Sequence, residues 1–311
     1  MESRIRIRNE YGKLEEVILG TAEELYIPDM HDIETEAASP WWKQMITQYL
    51  YPLLKGKRAP KWLTRKFQKE LAELKQILIR HGVHVHHPEA IKPQSNESAG
   101  LGQMFARDPV LCVDDRLITG QLQIEMRQKE LRGMEKLIEM FDLEQARIER
   151  IAEESGLYLE GGDVIVDFPY VYVGIGKYAS NQEGSRWLQD ILGDQAEVIP
   201  VQLTNEGILH LDCCMTIIGD KRGIIHRESL QHPLPAPLHT YEFIEVDDVT
   251  RAQMGTNVLV LDPQTIIIQK RHQKLQKRLE AWGFTVEPVD FTWHARLDGA
   301  FRCATCPIQR Q

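Results

Sequence analysis

Six residues of the 311-residue chain have the side chains that a nucleophilic enzyme needs. They are a thiol, an imidazole and four carboxylates: Cys303, His210, Glu160, Asp108, Asp212 and Asp163. A thiolate can attack an electrophilic carbon while a histidine transfers protons and a carboxylate fixes the histidine tautomer. Additional carboxylates raise the pKa of a thiol and repel an anionic intermediate, so they favour a cationic electrophile. A guanidinium is planar and pairs with carboxylates in a bidentate way. The residue types therefore predict chemistry on an arginine-like substrate.

These residues share one kind of position, directly before a short apolar run. The polar groups are Arg107-Asp108, Glu160-Gly161-Gly162-Asp163, His210-Leu211-Asp212, Gly255-Thr256-Asn257 and Gly299-Ala300-Phe301-Arg302-Cys303. If the apolar runs belong to copies related by an approximate rotation, equivalent positions lie at equal distances from one axis. The polar groups would then converge on a common site.

The apolar runs come in pairs that predict β-hairpins. In each pair two runs rich in Val, Ile and Leu flank a polar or Pro-containing turn. The four pairs start at 110–113, 164–166, 215–218 and 258–261. Their turn aspartates, Asp114, Asp167, Asp220 and Asp262, are separated by 53, 53 and 42 residues, a spacing that indicates a repeat architecture.

Helices and a third strand complete each predicted repeat. Apolar residues at helical spacing, such as Leu71, Leu74 and Leu78, predict amphipathic helices between the hairpins. A Gly cap and a strand closed by Pro follow at 82–88 and 283–288, so the unit is strand, strand, helix, strand.

The two chain ends supply further strand-like runs, 14–20 and 301–308. Together they predict a fifth copy, which would close a ring of five units. A single open sheet with helices on both faces is the alternative, because periodicity predicts element types and not ring closure.

Composition limits the classes of function. The net charge of −9 at pH 7, from 37 Lys and Arg against 46 Asp and Glu, argues against a nucleic-acid partner. The first residues contain no apolar signal segment and no run of about 18 apolar residues occurs, so we expect a cytoplasmic protein without a membrane contact. No linker interrupts the chain, which predicts one domain over residues 1–311. Five cysteines, an odd number, predict reduced thiols rather than a disulfide framework.

Short motifs along nearly the whole chain carry a family resemblance. The segment Asn9–Gly20 and Arg107-Asp108 resemble arginine:glycine amidinotransferases, whereas Glu160–Asp163 resembles arginine deiminases. His210–Asp212 and Cys303–Ile308 are similar to both groups. Both belong to the guanidine-modifying enzymes of the pentein superfamily. The resemblance implies an α/β fold, a five-bladed pseudo-symmetric α/β propeller of ββαβ units, and a Cys–His–acid mechanism.

The resemblance also implies a role for each residue of the predicted catalytic set. Cys303 would attack the guanidinium carbon and become an amidino-cysteine when an amine leaves. His210 would protonate that amine and later deprotonate the incoming nucleophile, with Glu160 orienting the imidazole. Asp108 and Asp212 would bind the guanidinium nitrogens.

Recognition of the rest of the substrate departs from the deiminase pattern. Arg127, nineteen residues after Asp108, matches an arginine that holds a substrate carboxylate, and a solvated arginine on a charged helix is the alternative. Two further carboxylate-binding arginines are replaced by Tyr178 and Asp298, which disfavours free arginine as a deiminase substrate. The predicted substrate-binding residues are Asp108, Asp212, Asp163, Arg127, Tyr178 and Asn257.

The leading hypothesis is an enzyme without cofactor or metal that moves an amidino group from arginine or a related guanidine to an amine. Hydrolysis of the guanidine, as in a deiminase, is the first alternative. A catalytically silent guanidine-binding scaffold is the second. The partners are thus a small-molecule guanidine donor and an amine acceptor. The sequence leaves a homodimer open and does not specify the acceptor.

Several other motifs receive ordinary structural interpretations. Cys303-Ala304-Thr305-Cys306 could be a redox or zinc CxxC, but its position near the chain end followed by Pro307 argues against both, and Cys306 is expected to be a packed neighbour. Cys112, Cys213 and Cys214 are expected in the core. His84, His86 and His87 could suggest a metal, but an outer strand end favours surface histidines. Trp41-Trp42 with Trp62 could be core, lid or partner surface.

Overall fold

The computed structural model of the protein describes residues 3–27, 56–98, 100–152, 156–204 and 206–311. Within these ranges the strands form five three-stranded sheets. The strands are β1 (Leu14–Leu19), β2 (His84–His86), β3 (Val110–Val113), β4 (Arg116–Thr119), β5 (Arg147–Arg150), β6 (Val164–Asp167), β7 (Tyr170–Ile175), β8 (Glu197–Gln202), β9 (Met215–Gly219), β10 (Arg222–Ile225), β11 (Glu242–Glu245), β12 (Leu259–Asp262), β13 (Thr265–Gln269), β14 (Thr285–Val289) and β15 (Thr305–Arg310).

Every sheet has the same topology. An antiparallel hairpin supplies the first and middle strands, and the third strand pairs parallel to the middle one, as in β3-β4-β5. The fifth sheet, β15-β1-β2, joins the two ends of the chain, with Ile18 opposite Cys306. The predicted fifth copy and the five-fold pseudo-symmetric α/β fold are therefore confirmed.

Helices connect the middle and outer strands in four of the five sheets. The described helices are α1 (Lys61–Arg80), α2 (Glu125–Gln128), α3 (Glu135–Leu143), α4 (Gln182–Leu192), α5 (Asp248–Ala252), α6 (Gln273–Ala281) and α7 (Thr292–Ala295). The apolar residues of α1 predicted from helical spacing, including Leu71, Leu74 and Leu78, are buried, as expected. None of the described helices combines the length and apolarity required to cross a membrane.

The sheet β9-β10-β11 departs from the predicted ββαβ unit. Two 3₁₀ turns, Arg227–Ser229 and Ala236–Thr240, take the place of its helix. Pro233, Pro235 and Pro237 lie in this connection. Proline lacks a backbone N–H and clashes with the preceding turn, so an α-helix cannot run through this segment.

Burial differs between the first and third strands of a sheet. All residues of β3 and β6 are buried, whereas β5 has none buried. A strand covered on both faces reads as a continuous apolar run, which explains why the first strands gave such clear sequence signals. Cys112, Cys213, Cys214 and Cys306 are buried thiols, which confirms their interpretation as core residues.

Candidate active site

The segments that enter the first strands of the five sheets meet one another. Asp108, Asp163, Asp212, Asn257 and Cys303 each lie one to three residues before such a strand. Backbone contacts join these segments: the amide of residue 212 donates to the carbonyl of residue 162 at 3.2 Å, and that of residue 107 donates to the carbonyl of residue 303 at 3.1 Å. The structure therefore brings together the polar groups whose convergence the repeat predicted.

Cys303 is buried, and its sulfur has one amide and one carboxylate neighbour. Nδ2 of Asn257 lies 3.0 Å from Sγ, and the nearer carboxylate oxygen of Asp212 lies 3.6 Å from Sγ. Burial raises the pKa of the Cys303 thiol well above its ordinary value, and the charges of Asp212 and Asp108 raise it further. The thiol is therefore neutral until a positive charge arrives beside it.

Asn257 holds the nucleophile from both ends of its amide. Its Oδ1 accepts the backbone N–H groups of Arg302 at 3.0 Å and Cys303 at 3.2 Å, while its Nδ2 donates to the sulfur. A donor aimed at sulfur stabilises the thiolate over the thiol. Asn257 is one of the predicted substrate-binding residues, and its described contacts fix the position and the hydrogen bonding of Cys303.

The imidazole of His210 lies between two buried carboxylates. Its Nε2 is 2.8 Å from Oε2 of Glu160 and 3.8 Å from Oδ1 of Asp108. Burial would lower the pKa of His210, but Asp108 and the hydrogen bond to Glu160 outweigh burial and raise it to about 10. At neutral pH His210 is therefore an imidazolium, the form that can donate a proton. Glu160 is itself fixed, since its Oε1 accepts the backbone N–H of Gln123 at 3.0 Å.

Gly162 makes this close approach possible. A Cβ at this position would lie 2.7 Å from Cγ of His210 and 2.8 Å from Oδ1 of Asp108, well inside van der Waals contact. A glycine is therefore required at this position of the Glu160–Asp163 motif, because the backbone passes directly against the side chains of His210 and Asp108.

Arg127 is an internal partner of the site. Its NH1 binds Oδ2 of Asp108 at 2.9 Å, and its Nε and NH2 bind Glu130, whose side chain is buried. The second oxygen of Asp108 accepts the amide of Gly162 at 3.0 Å. Arg127 was expected to hold a substrate carboxylate, but in this geometry carboxylates of the protein occupy those three nitrogens.

Asp212 has its own protein cation, which sequence analysis did not single out. NH1 of Arg302 binds Oδ2 of Asp212 at 2.9 Å, and NH2 binds Oε1 of Glu10 at 2.9 Å. Burial works against the charge of Glu10, but Arg302 lowers its pKa to about 2. The available signal was local: Arg302 directly precedes the predicted nucleophile. Oδ1 of Asp212 keeps capacity for a further donor, because among the described residues its hydrogen-bond donors are the weak thiols of Cys213 and Cys303.

The carboxylate of Asp163 binds the backbone of two neighbouring segments. Its Oδ1 accepts the amide of Leu211 at 2.9 Å and its Oδ2 accepts the amide of Ser180 at 3.0 Å. The carboxyl is fully buried, and burial raises its pKa to about 7. Both oxygens therefore bind backbone amides, one of them in the residue that follows His210.

The remaining predicted residues lie apart from these contacts. Tyr178 is half-buried between β7 and α4, with the ammonium of Lys177 5.0 Å from its ring centroid. Asp298 is exposed on a left-handed backbone turn with φ of 55°. Trp62 is 61% exposed, and Trp41-Trp42 lies outside the described residues.

Asp108, Glu160 and His210 also offer three potential metal-ligand atoms within 4.8 Å of one another. The raised pKa of His210, about 10, keeps its imidazole protonated at neutral pH, so a metal ion would have to displace this proton to bind here. The arrangement holds a transferable proton beside two buried carboxylates, one of which, Asp108, also acts on the thiol of Cys303. The carboxylate of Asp212 lies 3.6 Å from the sulfur of Cys303.

The sequence was compared with known families and proteins. The family model described as N,N dimethylarginine dimethylhydrolase, eukaryotic, matches residues 57–310. The uncharacterized protein YkgA of Bacillus subtilis (strain 168) is 29% identical over 210 residues, which cover 67% of this chain and 70% of YkgA. The putative inosamine-phosphate amidinotransferase 2 of Streptomyces griseus is 28% identical, over 99% of this chain and 97% of its own.

Solved structures with the same fold include a transferase and a hydrolase. SxtG, an amidinotransferase from Microseira wollei, superposes with a TM-score of 0.84 at 19% identity, covering 99% of this chain and 98% of SxtG. The N-terminal domain of ArgZ, a cyanobacterial arginine dihydrolase, gives a TM-score of 0.71 at 16% identity, covering 96% and 98%. At these identities the structural likeness establishes the fold alone.

Proposed function

Since the chain belongs to the family of the eukaryotic N,N dimethylarginine dimethylhydrolase model, within the pentein superfamily of guanidine-modifying enzymes, we propose that it is a cysteine-dependent amidinotransferase. It takes an amidino group from arginine or a related guanidine and passes it to an amine through an amidino-cysteine at Cys303. One observation carries the proposal: Asp212 lies 3.6 Å from the sulfur of Cys303, Asp108 lies 3.8 Å from Nε2 of the protonated His210, and the charge of Asp108 also acts on the Cys303 thiol. A flat cation bound by these two carboxylates would meet both the nucleophile and the acid.

Binding of the donor activates the thiol. A guanidinium beside Asp212 brings a positive charge close to Sγ of Cys303, which offsets the nearby carboxylates and lowers the pKa of the thiol. The thiol loses its proton to solvent as the donor binds, because His210 is already protonated, and the hydrogen bond from Asn257 stabilises the resulting thiolate. The thiolate then forms an S–C bond with the guanidinium carbon.

The imidazolium of His210 completes the first half of the reaction. It donates its proton to the departing nitrogen, the C–N bond breaks, and a neutral amine leaves the amidino-cysteine. The imidazole, now neutral and still held by Glu160, accepts a proton from the incoming amine as that amine attacks the amidino carbon. The C–S bond breaks, which regenerates the thiolate of Cys303 and releases a guanidino product.

Transfer is favoured over hydrolysis by the relative that aligns over nearly the full length of both chains, which is named a putative amidinotransferase. Hydrolysis is the second candidate, because the matching family model is named for a dimethylhydrolase. In that reaction ammonia leaves in the first half, so the substituted amidino group stays on Cys303. Water then takes the place of the acceptor amine, His210 deprotonates the water, and arginine becomes citrulline. The same residues serve both reactions, and the complete set of nucleophile, acid and orienting carboxylate argues against a silent scaffold.

Product analysis separates the two reactions. Incubation with arginine and a panel of amines, including glycine and lysine, should yield ornithine and a new guanidino compound that appears only with an acceptor. Citrulline formed at the same rate with and without an acceptor would identify the reaction as hydrolysis and contradict the proposed transfer. Acid quenching during turnover, followed by mass spectrometry, should place one amidino group on the peptide that contains Cys303. An active donor without this adduct would contradict covalent catalysis.

A further inference from the structure

A second group of histidines and a carboxylate lies on the outer part of the fifth sheet. Glu16 of β1 pairs with His84 of β2 in parallel register, and Ile18 pairs with His86. Because alternate residues of a strand point to the same face, the side chains of Glu16, His84 and His86 share one face of the sheet. We name these three residues the peripheral cluster.

The side chains of the peripheral cluster converge at metal-ligand distances. One potential ligand atom from each lies within 4.8 Å of the other two, and the ring centroids of His84 and His86 are 4.5 Å apart. Nε2 of His86 is hydrogen-bonded to Oε1 of Glu16. His84 is exposed and His86 half-buried, so the cluster is open to solvent on one side.

Glu16 already neutralises a cation at this position. Its side chain is 7% exposed, and Nε of Arg4 binds its Oε2 at 3.0 Å. Burial alone would raise the pKa of Glu16, but hydrogen bonds from His86 and Arg4 lower it to about 2. The side chain of Arg4 is 30% exposed and has a second acidic partner, Glu144, so its guanidinium can leave Glu16 without losing every partner.

We propose that the peripheral cluster is a zinc site in which one nitrogen from each of His84 and His86 and one oxygen of Glu16 bind the ion, and in which Arg4 is the resident cation that zinc displaces. Two imidazoles and a carboxylate are ligands that zinc prefers, with a fourth position left for water. Ligand atoms about 2.0–2.1 Å from a tetrahedral ion are about 3.3 Å apart, so small side-chain rotations close the site.

The site would act on the fold rather than on the reaction. The strand β2 has three residues and lies at the edge of its sheet, where, within the part of the chain that the structure describes, β1 is its one pairing partner. The same β1 pairs with β15, the strand that follows Cys303, and thereby closes the ring. Zinc bridging β1 and β2 therefore stabilises the sheet in which the chain ends meet, because a ligand bound only by the folded state raises its stability.

Zinc titration of the full, untagged chain by isothermal calorimetry tests this site. A Cys303→Ser background removes the nucleophilic thiol as a competing ligand. We expect one zinc per chain and a thermal unfolding midpoint that rises with zinc. His84→Ala and His86→Ala should each weaken binding by about 100-fold or more, since loss of even an outer-shell partner costs about 10–100-fold. Arg4→Gln should tighten binding by about tenfold, because a repelling charge is removed.

His87→Ala is the matched control. His87 follows the pair directly but turns its Nδ1 to the carbonyl of Leu19 at 3.0 Å, so its loss should leave zinc affinity unchanged. Circular dichroism without zinc establishes that each variant is folded, and cobalt substitution should give visible d–d bands without a sulfur charge-transfer band. Zinc binding that survives both histidine substitutions would overturn the site. An unchanged affinity in Arg4→Gln would overturn the displacement of Arg4.

Discussion

Two clusters in this protein use the same side chains in different surroundings. The central cluster, Asp108, Glu160 and His210, is drawn from segments 52 and 50 residues apart in the sequence and is fully buried. The peripheral cluster, Glu16, His84 and His86, lies on two paired strands of one sheet and is partly exposed. In each cluster a histidine ring nitrogen contacts a glutamate, so residue type alone does not distinguish the two.

Burial and the surrounding donors make the difference. In the central cluster, Asp108 is held by a buried guanidinium and a backbone amide, and Glu160 by another backbone amide. With no solvent to stabilise charge, the carboxylates raise the pKa of His210 to about 10 and keep it protonated. In the peripheral cluster the balancing cation, Arg4, is partly exposed and exchangeable. The first arrangement suits proton transfer, and the second suits binding of a cation from solution.

Removing the nucleophile of the active site should cause the largest loss of turnover and leave the peripheral cluster unaffected. Cys303→Ala is expected to lower kcat by about 10⁶-fold, as for other nucleophiles that act within a catalytic unit. Steady-state turnover of arginine with the best acceptor amine checks this. Zinc affinity of the peripheral cluster should not change in the same variant. Turnover within tenfold of the unsubstituted protein would show that another group carries out the attack.

Neutralising the carboxylate that orients His210 should have the next largest effect. Glu160→Gln is expected to lower kcat by about 10⁴-fold, since the equivalent change at a catalytic histidine elsewhere has that cost. The pKa of His210 should also fall, so the alkaline limb of the pH–rate profile should move to lower pH.

Stability gives an independent readout of the same substitution. The folded-state pKa of His210, about 10, exceeds its ordinary value of about 6.5. The resulting stabilisation is therefore complete below about pH 6.5 and is lost as the pH rises through about 10. Urea unfolding of the unsubstituted protein should show this decline in the free energy of unfolding, and Glu160→Gln should reduce it. An equal decline in both proteins would assign it to other groups.

Substitution of Arg127 and of Arg4 compares the stability contributed by a buried ion pair with that of a partly exposed one. Arg127→Gln leaves Asp108 and Glu130 buried without their cation and should cost about 3–5 kcal/mol of stability. The matched change Arg4→Gln, at a partly exposed pair, should cost about 1 kcal/mol or less. Urea unfolding at neutral pH measures both. Equal losses would mean that the two pairs do not differ as their burial indicates.

Removing the donor to sulfur should have the smallest effect on rate. Asn257→Ala is expected to lower kcat by about 100-fold, a typical loss for one preorganised donor. The thiol pKa should rise further, which shifts the pH dependence of Cys303 alkylation to higher pH. Asn257→Asp places a negative charge beside Sγ and should raise the thiol pKa more than Asn257→Ala does. An unchanged alkylation profile would contradict the role given to the Nδ2 group.

The sequence by itself determined the elements and the membership of the central site. The first strand of each sheet is buried on both faces, so it appears in the sequence as a continuous apolar run. The polar groups come directly before these runs. The repeat of these two features was enough to expect that Asp108, His210 and Cys303 converge. It was also enough to expect a sheet made from both ends of the chain.

Only the tertiary structure decided which polar groups bind each other. Arg127 pairs with Asp108, Arg302 pairs with both Asp212 and Glu10, and Asp163 turns to backbone amides. Such contacts join residues as far apart as 292 positions, and no local periodicity encodes them. The contact between Glu16 and its histidines is likewise not encoded locally, because Glu16 lies 68 residues before His84 in the sequence. Sequence patterns specify which face of a strand is buried, whereas the arrangement of the five sheets determines which charged side chains form ion pairs.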